Sequence, residues 1–210
     1  MTDTPRIAAI IPVGRLEAAK TRLAGALDAE ERQDLAELLL TRTVTAALFV
    51  GRIADVLVIS PDREVLQRAA DLGARTLRQR SRGLNAGIAE GRADVVAGGA
   101  DAILVLPIDL AFVSSEALDA VLDAHSQCGS ERCVVLVTDR HGNGTNLLLL
   151  RPPDVVEFAF GPGSRRAHRL AAEAAGAVYV EVDGPLEIDI DTPADLVLVE
   201  SLGTERIGAG

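Results

Sequence analysis

Aromatic side chains are almost absent from this sequence: they make up 2% of its 210 residues, with one tyrosine and no tryptophan. Proteins that read RNA or single-stranded DNA stack the bases on such rings, so this class is disfavoured. Hydrophobic residues still make up 48% of the chain, so the core must be built from Ala, Val, Leu and Ile. The length suits one domain with a substantial core, and we expect residues 1–210 to form a single domain.

Positive charge is also scarce, since 31 acidic residues face 21 basic ones, for a net charge of -10 and a pI of about 4.8. A surface that binds a nucleic-acid duplex is normally basic, so we expect no nucleic-acid polymer as a partner. A mononucleotide remains compatible with this balance, because a few local Lys and Arg residues or a metal ion can hold its phosphates.

Cysteines and long apolar runs are the other scarce features. Four residues separate Cys128 from Cys133, which is not a C-x-x-C motif, and no histidine cluster completes a zinc site. We therefore expect incidental free thiols in a reducing cytosol. Residues 1–5 show no basic segment leading into an apolar run, and no run reaches membrane-spanning length. These features favour a cytoplasmic protein with no membrane partner.

Short aliphatic runs alternate with amphipathic helical patterns along the chain. The runs predict strands at residues 6–13, 54–60, 74–77, 102–107, 133–138, 147–150 and 177–182. Helices are predicted after a capping box of Asp28 and Glu31, then at 63–72, 84–96, 114–125, 164–175 and 193–202, with a mobile tail from Gly203. This order predicts an α/β three-layer sandwich whose mostly parallel central sheet takes in an antiparallel element near 133–150.

Three aspartates lie where ligands of such folds bind, beyond the carboxyl ends of strands. Asp189 and Asp191 share one face of an extended segment that runs into a helix start at Thr192-Pro193. Carboxylates on one face repel each other unless a cation lies between them, as Mg²⁺ does in many phosphate-binding sites. Asp109 follows another strand and could supply a third metal ligand. The alternatives are solvated acids in a turn and a loop cap.

Three cations, Arg15, Lys20 and Arg22, fall on the loop after the first predicted strand. They could neutralise a triphosphate and the pyrophosphate that leaves it. The loop matches neither a Walker motif nor a dinucleotide-binding fingerprint, since it carries only Gly14. A solvated basic turn is the alternative.

A Gly161-Pro162-Gly163 loop leads into Ser164 at a helix start, where free N–H groups, the helix dipole and a hydroxyl can hold an anion. We expect Arg165, Arg166 and His168 to add positive charge there; ordinary helix capping is the alternative.

Two further loops offer polar groups. Asn85, at another helix start, presents a donor and an acceptor that suit the edge of a base, although it could also be a cap. Thr145 lies in the glycine-spaced loop 141–146, for which a hairpin turn is the alternative.

Taken together, these loops indicate metal-dependent nucleotidyl transfer. A phosphate oxygen of an acceptor would attack the α-phosphorus of a nucleoside triphosphate, and pyrophosphate would leave. Catalysis would rest on positioning and electrostatics. A phosphate acceptor is already ionised near neutral pH, so no general base is needed.

The same residues form an ordered set of motifs. They are Ile11-Pro12-Val13, Ala19-Lys20-Thr21-Arg22-Leu23, Gly83-Leu84-Asn85, Pro107-Ile108-Asp109-Leu110, Gly144-Thr145-Asn146, Phe160-Gly161-Pro162-Gly163-Ser164 with His168, and Asp189-Ile190-Asp191-Thr192-Pro193-Ala194-Asp195-Leu196. In order and spacing, over nearly the whole chain, this set resembles the guanylyltransferase family of coenzyme F-420 biosynthesis, the 2-phospho-L-lactate and phosphoenolpyruvate guanylyltransferases.

The resemblance implies a nucleotidyltransferase fold of GT-A/Rossmann-like type and, with Mg²⁺, transfer of GMP from GTP to a three-carbon phospho-acid, often phosphoenolpyruvate. It implies metal binding by Asp109, Asp189 and Asp191 and acceptor binding by Thr145, Gly161 and Ser164. It implies nucleotide contacts by Lys20, Arg22 and Asn85, to which the charges of the first loop add Arg15. We expect Lys20 and the three aspartates to be the catalytic residues. Where the family has proline after Asp-Leu, this chain has Ala111, which we expect to loosen that loop.

Several alternatives stay open. The acceptor could be 2-phospho-L-lactate or 3-phosphoglycerate. The protein could also form a homodimer. A molybdenum-cofactor or sugar-phosphate nucleotidyltransferase is disfavoured by the lack of a glycine-rich first loop. A GT-A glycosyltransferase is disfavoured, because it would not need the predicted anion-binding loop that leads into Ser164. A nucleotide-binding regulator would leave the acids and cations unexplained.

Overall fold

A computed structural model of the chain describes residues 5–15 and 20–208, with side chains as far as Leu202. Residues 1–4, which we read as lacking a signal sequence, and residues 16–19 of the first loop lie outside the described residues. Within the described part, no helix combines the length and apolar character needed to cross a bilayer.

Seven strands form one sheet in the order β3-β2-β1-β4-β6-β5-β7. The strands are β1 (Ile7–Pro12), β2 (Ile53–Ser60), β3 (Arg75–Arg78), β4 (Ala102–Val105), β5 (Cys133–Val137), β6 (Leu147–Arg151) and β7 (Val178–Glu181). Strand β6 runs antiparallel to both of its neighbours, β4 and β5, while the other pairings are parallel. The predicted mostly parallel sheet with an antiparallel element is confirmed.

Helices cover both faces of this sheet. They are α1 (Ala29–Phe49), α2 (Arg63–Asp71), α3 (Leu84–Ala97), α4 (Ser115–Gln127), α5 (Ser164–Ala174) and α6 (Pro193–Gly208). Alternate residues of β1 enter two separate cores: Ile7, Ala9 and Ile11 pack with α1, α2 and α4, whereas Ala8 and Ile10 pack with α3 and α5. This division follows from the two-residue period of a strand and gives the predicted three-layer sandwich.

The predicted elements are all present, and the main shift in a boundary concerns the last helix. Helix α6 continues through Gly208, so the residues after Leu202 begin as helix rather than as the tail we expected; residues 209–210 lie outside the described residues. At the start of α1, the capping box of Asp28 and Glu31 is confirmed by both of its hydrogen bonds.

The expectation of two free thiols is wrong, because Cys128 and Cys133 form a disulfide. Cys128 caps the C-terminus of α4, and Cys133 opens β5. The turn between them includes Gly129 with a positive φ of 66° and brings the two Cα atoms to 6.6 Å. Sequence spacing alone did not show this reversal of the chain.

A third, smaller core lies beneath the carboxyl edge of the sheet. It is formed by the buried side chains of Leu23, Leu39, Ala111 and Ile190, with residues of α6 packed against it. Leu23 comes from the first loop, Ala111 follows Asp109, and Ile190 separates Asp189 from Asp191. This core therefore fixes three loops that carry candidate site residues.

Candidate active site

A cleft of about 410 Å³ opens beyond the carboxyl ends of β1 and β4, where ligands of open α/β sheets bind. Its lining comes from three loops and the start of α3: Pro12, Val13, Gly14, Arg15, Lys20, Thr21, Arg22, Leu84, Pro107, Ile108, Asp109 and Asp191. The structure thus brings together the cations of the first loop and carboxylates from two others.

Backbone pairing holds the two carboxylate-bearing segments side by side. Leu110 and Asp189 form an isolated antiparallel bridge. On either side of it, Ile190 N donates to Asp109 O at 2.9 Å and Ala111 N donates to Ile188 O at 2.8 Å. A proline at position 111 has no N–H to donate. The loop is therefore pinned at the point where we expected the missing proline to loosen it.

Lys20 lies between two of the aspartates. Its Nζ is 3.1 Å from Asp191 Oδ1 and 3.7 Å from Asp109 Oδ2, and only 9% of its side chain is exposed. Its backbone is left-handed, with φ of 54°, the only positive φ at a non-glycine residue in the described part of the chain. Such a conformation is retained where the surrounding structure enforces it, and it is common at functional sites.

The other two cations of the first loop reach the same cleft. Arg22 Nη1 is 3.6 Å from Asp191 Oδ2 and keeps 76% of its side chain exposed, while Arg15 is exposed on the cleft lining. Both guanidinium groups are accessible to a phosphate chain.

The carboxylates destabilise one another's charge. Burial raises the pKa of Asp109, with Asp191 adding to this rise and Lys20 opposing it. Burial also raises the pKa of Asp189, and the charges of Asp109 and Asp191 raise it further. Among the residues that the structure describes, no three acidic, histidine or cysteine side chains converge closely enough to hold a metal ion. The predicted three-carboxylate cage is therefore not preassembled, because Lys20 occupies the space between Asp109 and Asp191.

The donor set nevertheless fits a hard divalent cation. It offers carboxylate oxygens only, which Mg²⁺ prefers. Burial raises the pKa of Asp189, and repulsion by Asp109 and Asp191 raises it further. A bound cation would relieve this repulsion. Asp109, Asp189 and Asp191 are the residues that would hold the ion.

Asp195 fixes the backbone next to Asp191, a role that sequence reasoning missed. Its Oδ2 accepts hydrogen bonds from Asp191 N at 3.0 Å, Thr192 N at 2.6 Å and Thr192 Oγ1 at 2.9 Å. Its Oδ1 pairs with Arg140 of the loop before β6. The Thr192-x-x-Asp195 spacing is that of a capping box with Asp in place of Glu, which is the signal that could have found it.

Thr145, Ser164 and His168 form what we call the hydroxyl pocket, at the start of α5. Thr145 Oγ1 and His168 Nδ1 are 3.0 Å apart, and Ala159 N donates to His168 Nε2 at 3.0 Å. Burial lowers the pKa of His168 to about 4, so the ring is neutral at physiological pH. The expectation that His168 adds positive charge is therefore wrong.

Ser164 and Gly161 occupy the turn that was predicted to bind an anion. Ser164 is 1% exposed, and its Oγ has no hydrogen-bond partner within the described part of the chain. Gly161 and Gly163 have positive φ values of 134° and 75°, which glycine adopts readily. A buried hydroxyl without a partner in the protein is available to a ligand.

The two arginines after Ser164 behave differently from each other. Arg165 forms an ion pair with Glu181, in which Nη2 is 2.7 Å from Oε2, and it donates to Gly142 O at 3.0 Å. Its charge is therefore largely neutralised within the protein, whereas Arg166 is exposed.

Asn85 uses its amide within the protein. Its Nδ2 donates to Phe160 O at 3.0 Å, and its Oδ1 accepts from Phe160 N at 2.9 Å. This pair ties the start of α3 to the loop before Gly161. The amide that we expected to read a base edge therefore holds the turn that we predicted to bind an anion.

Asn146 links the hydroxyl pocket to the carboxylates. It follows Thr145 and donates from Nδ2 to Leu186 O at 3.1 Å, and its side chain opposes the rise in the pKa of Asp189. The two halves of the candidate site are therefore adjacent.

The fold is similar to that of solved proteins named as a nucleotide-diphospho-sugar transferase and a cytidylyltransferase. A putative nucleotide-diphospho-sugar transferase from Desulfovibrio desulfuricans G20 is similar with a TM-score of 0.73 and 15% identity, over 92% of this chain and 85% of that one. The 4-diphosphocytidyl-2C-methyl-D-erythritol synthase from Anaerococcus prevotii gives a TM-score of 0.64 at 12% identity, over 96% and 97% of the two chains. At such identities the likeness concerns the fold alone.

The chain belongs to the family described as guanylyl transferase CofC like, whose sequence model matches residues 7–206. It is 42% identical to a phosphoenolpyruvate guanylyltransferase from Sphaerobacter thermophilus, over 96% of this chain and 95% of the relative. A protein of the same name from Rubrobacter xylanophilus is 41% identical, over 93% and 94%. The family resemblance seen in the sequence motifs is confirmed.

Proposed function

We propose that this protein transfers GMP from GTP to phosphoenolpyruvate, releasing pyrophosphate and enolpyruvoyl-2-diphospho-5'-guanosine, as a step of coenzyme F-420 biosynthesis. The observation that carries the proposal is the cleft in which the cations of the first loop meet Asp109 and Asp191. This half of the site suits a triphosphate, and the hydroxyl pocket offers buried hydroxyl groups for a small anion. The names of the relatives with 42% and 41% identity support this acceptor and guanine as the base.

The cation side of the cleft would hold and activate GTP. Arg15 and Arg22, both exposed, would bind the outer phosphates, and Lys20 would neutralise charge that develops on the departing pyrophosphate. Lys20 contacts Asp109 and Asp191 in the structure, so its ammonium group already lies within the cleft before the nucleotide binds.

The carboxylates would hold Mg²⁺ in the GTP-bound enzyme. When bound, the ion would supply Lewis-acid stabilisation of phosphate oxygens. Asp109, Asp189 and Asp191 would bind it, and the Lys20 ammonium would then turn from the carboxylates toward the phosphates.

The hydroxyl pocket would orient the phospho-acid. Thr145, Ser164 and the backbone of Gly161 would bind its anionic oxygens, so that an ionised phosphate oxygen faces the α-phosphorus of GTP. The reaction forms one P–O bond to the acceptor and breaks the bond between the α- and β-phosphates, and no proton has to be removed. The finer expectations of a cytosolic location and a homodimer remain predictions.

The choice of acceptor and base is tested in one matrix. Purified protein with Mg²⁺ is incubated with each of GTP, ATP, CTP and UTP against phosphoenolpyruvate, 2-phospho-L-lactate and 3-phosphoglycerate, and pyrophosphate release is measured. The proposal predicts the highest kcat/KM for GTP with phosphoenolpyruvate. A preference for 2-phospho-L-lactate would correct the acceptor alone. Pyrophosphate release only with a sugar phosphate or a molybdenum-cofactor precursor would overturn the proposal.

A further inference from the structure

The hydrogen bonds of His168 fix which of its ring nitrogens carries the proton. Ala159 N–H points at Nε2, 3.0 Å away, and an N–H can be bonded only by an unprotonated ring nitrogen. Because burial lowers the pKa of His168 to about 4, the ring carries a single proton at neutral pH. That proton must therefore be on Nδ1, which faces Thr145.

This tautomer determines the direction of the next hydrogen bond. Nδ1–H donates to Thr145 Oγ1 across 3.0 Å, so the Thr145 hydroxyl accepts in this contact. Its own hydrogen is then free to be donated elsewhere. Thr145 is 9% exposed, and the described residues offer its hydroxyl no other partner.

Ser164 places a second donor on the same side. It precedes His168 by one helical turn, so the two side chains share a face of α5. The loop that carries Thr145 is held against this turn, since Arg165 N donates to Asn143 O at 3.3 Å. The hydroxyl pocket therefore holds two hydroxyl groups whose hydrogens have no acceptor among the described residues. Each of them can donate to an anionic oxygen.

We propose that His168 is a positioning residue that turns the Thr145 hydroxyl into a dedicated hydrogen-bond donor for an anionic oxygen of the acceptor. This inference rests on the proposed function, because it names how the phospho-acid is recognised in that site. His168 does not contact the acceptor itself but acts through Thr145. It therefore affects the binding of the acceptor and not the binding of GTP.

Two substitutions distinguish the proposed role, in which His168 donates to Thr145, from a role in which His168 only holds the loop in place. His168→Asn keeps an N–H donor near the position of Nδ1 but loses the acceptor for Ala159. His168→Gln keeps an acceptor near the position of Nε2 but loses the donor to Thr145. We expect His168→Gln to raise the KM for the phospho-acid about tenfold, the upper end of the value of one hydrogen bond between neutral groups, because Thr145 is then no longer held as a donor. We expect His168→Asn to recover most of this loss, with the KM for GTP little changed in both.

A double-mutant cycle tests whether the effect passes through Thr145. Thr145→Val removes the hydroxyl and keeps the branched shape. If His168 acts through that hydroxyl, His168→Gln adds little to the phospho-acid KM of Thr145→Val. Full additivity, or a larger KM for His168→Asn than for His168→Gln, would show that His168 only holds the loop and would overturn the inference.

The tautomer itself is measured without substrate. Long-range ¹H–¹⁵N spectra of the wild-type protein at neutral pH, with the His168 signals assigned by their loss in His168→Asn, should show the proton on Nδ1. A proton on Nε2, or on both nitrogens, would contradict the inference even if guanylyl transfer is confirmed. If the wild-type protein turns over no phospho-acid, the proposed function fails, and the donor role falls with it whatever the spectrum shows.

Discussion

The ammonium nitrogen of Lys20 lies 3.1 Å from a carboxylate oxygen of Asp191, although 171 positions separate the two residues in the chain. The contact joins the first loop of the sheet to the start of the last helix. It exists because Leu23, directly after this loop, and Ile190, directly before Asp191, are buried in the same small core. The charge at the centre of the cleft is therefore positioned by apolar packing.

Replacement of Lys20 tests the importance of this charge. We expect Lys20→Met to lower kcat about a hundredfold or more, as removal of a transition-state donor does elsewhere. Lys20 opposes the rise in the pKa of Asp109, so its loss raises that pKa, and the acidic limb of the pH–rate profile should move to higher pH. Pyrophosphate release as a function of pH measures both effects. Lys20→Arg keeps the charge and should leave the acidic limb of the pH–rate profile unchanged. A kcat of Lys20→Met within a few-fold of the wild-type value would refute the catalytic role of Lys20.

Neutralising Asp189 should stabilise the metal-free protein. The pKa of Asp189 is raised above the ordinary value of 3.8 by burial and by its neighbours' charges. The folded state therefore binds this proton more tightly than the unfolded state, and stability is lost as pH rises from 3.8 through the folded pKa. Asp189→Asn removes this charge and should raise Tm by a few degrees at neutral pH.

The pH dependence provides the control for Asp189. The gain in Tm should shrink in acid, where the wild-type carboxyl is itself protonated, and activity should be lost throughout. Exposed Asp154, which follows β6 at the opposite edge of the sheet, gives a matched Asp154→Asn variant that should leave Tm unchanged. A loss of stability in Asp189→Asn at neutral pH would contradict the mutual repulsion.

Asp195 should show the opposite pH dependence. Burial pushes the pKa of Asp195 up, but its hydrogen bonds with Asp191 and Thr192 and the charge of Arg140 outweigh this and leave it lowered. Its stabilisation is therefore present above the unfolded pKa of 3.8 and is lost as pH falls through the folded pKa. Asp195→Ala should cost about 2–4 kcal/mol in urea unfolding at neutral pH, with less difference from wild type in acid. An equal difference at both pH values would mean that its charge is not involved.

Asn85 distinguishes a base-reading role from a loop-holding role. Both of its polar groups bond to the backbone of Phe160, so Asn85→Ala frees the turn that carries Gly161 and Ser164. We expect the KM for the phospho-acid to rise several-fold while the KM for GTP stays within about twofold. Steady-state kinetics with each substrate varied in turn measures this. A rise confined to GTP would restore the base-reading interpretation.

The sequence predicted the sheet, its antiparallel strand and the loops of the site, because aliphatic periodicity and strand-end positions are local signals. It did not predict that Lys20 would occupy the proposed metal cage, since that depends on packing of Leu23 against Ile190. The neutral state of His168 and the internal bonds of Asn85 were also missed, because burial and partners distant in sequence decide both. The disulfide was not predicted, because the spacing of Cys128 and Cys133 in the sequence does not show that the chain reverses at Gly129.

Asp189 and Asp191 are the residues on which the proposed metal-dependent guanylyl transfer depends most directly. The most direct measurement is pyrophosphate release from GTP and phosphoenolpyruvate with and without Mg²⁺, by wild type, Asp189→Ala, Asp191→Ala and the control Asp154→Ala, with folding checked by circular dichroism. We expect Mg²⁺-dependent release by wild type and Asp154→Ala, and none above background by the folded Asp189→Ala and Asp191→Ala proteins. Near-normal release by both of those variants, or full release by wild type without a divalent metal, would contradict this expectation.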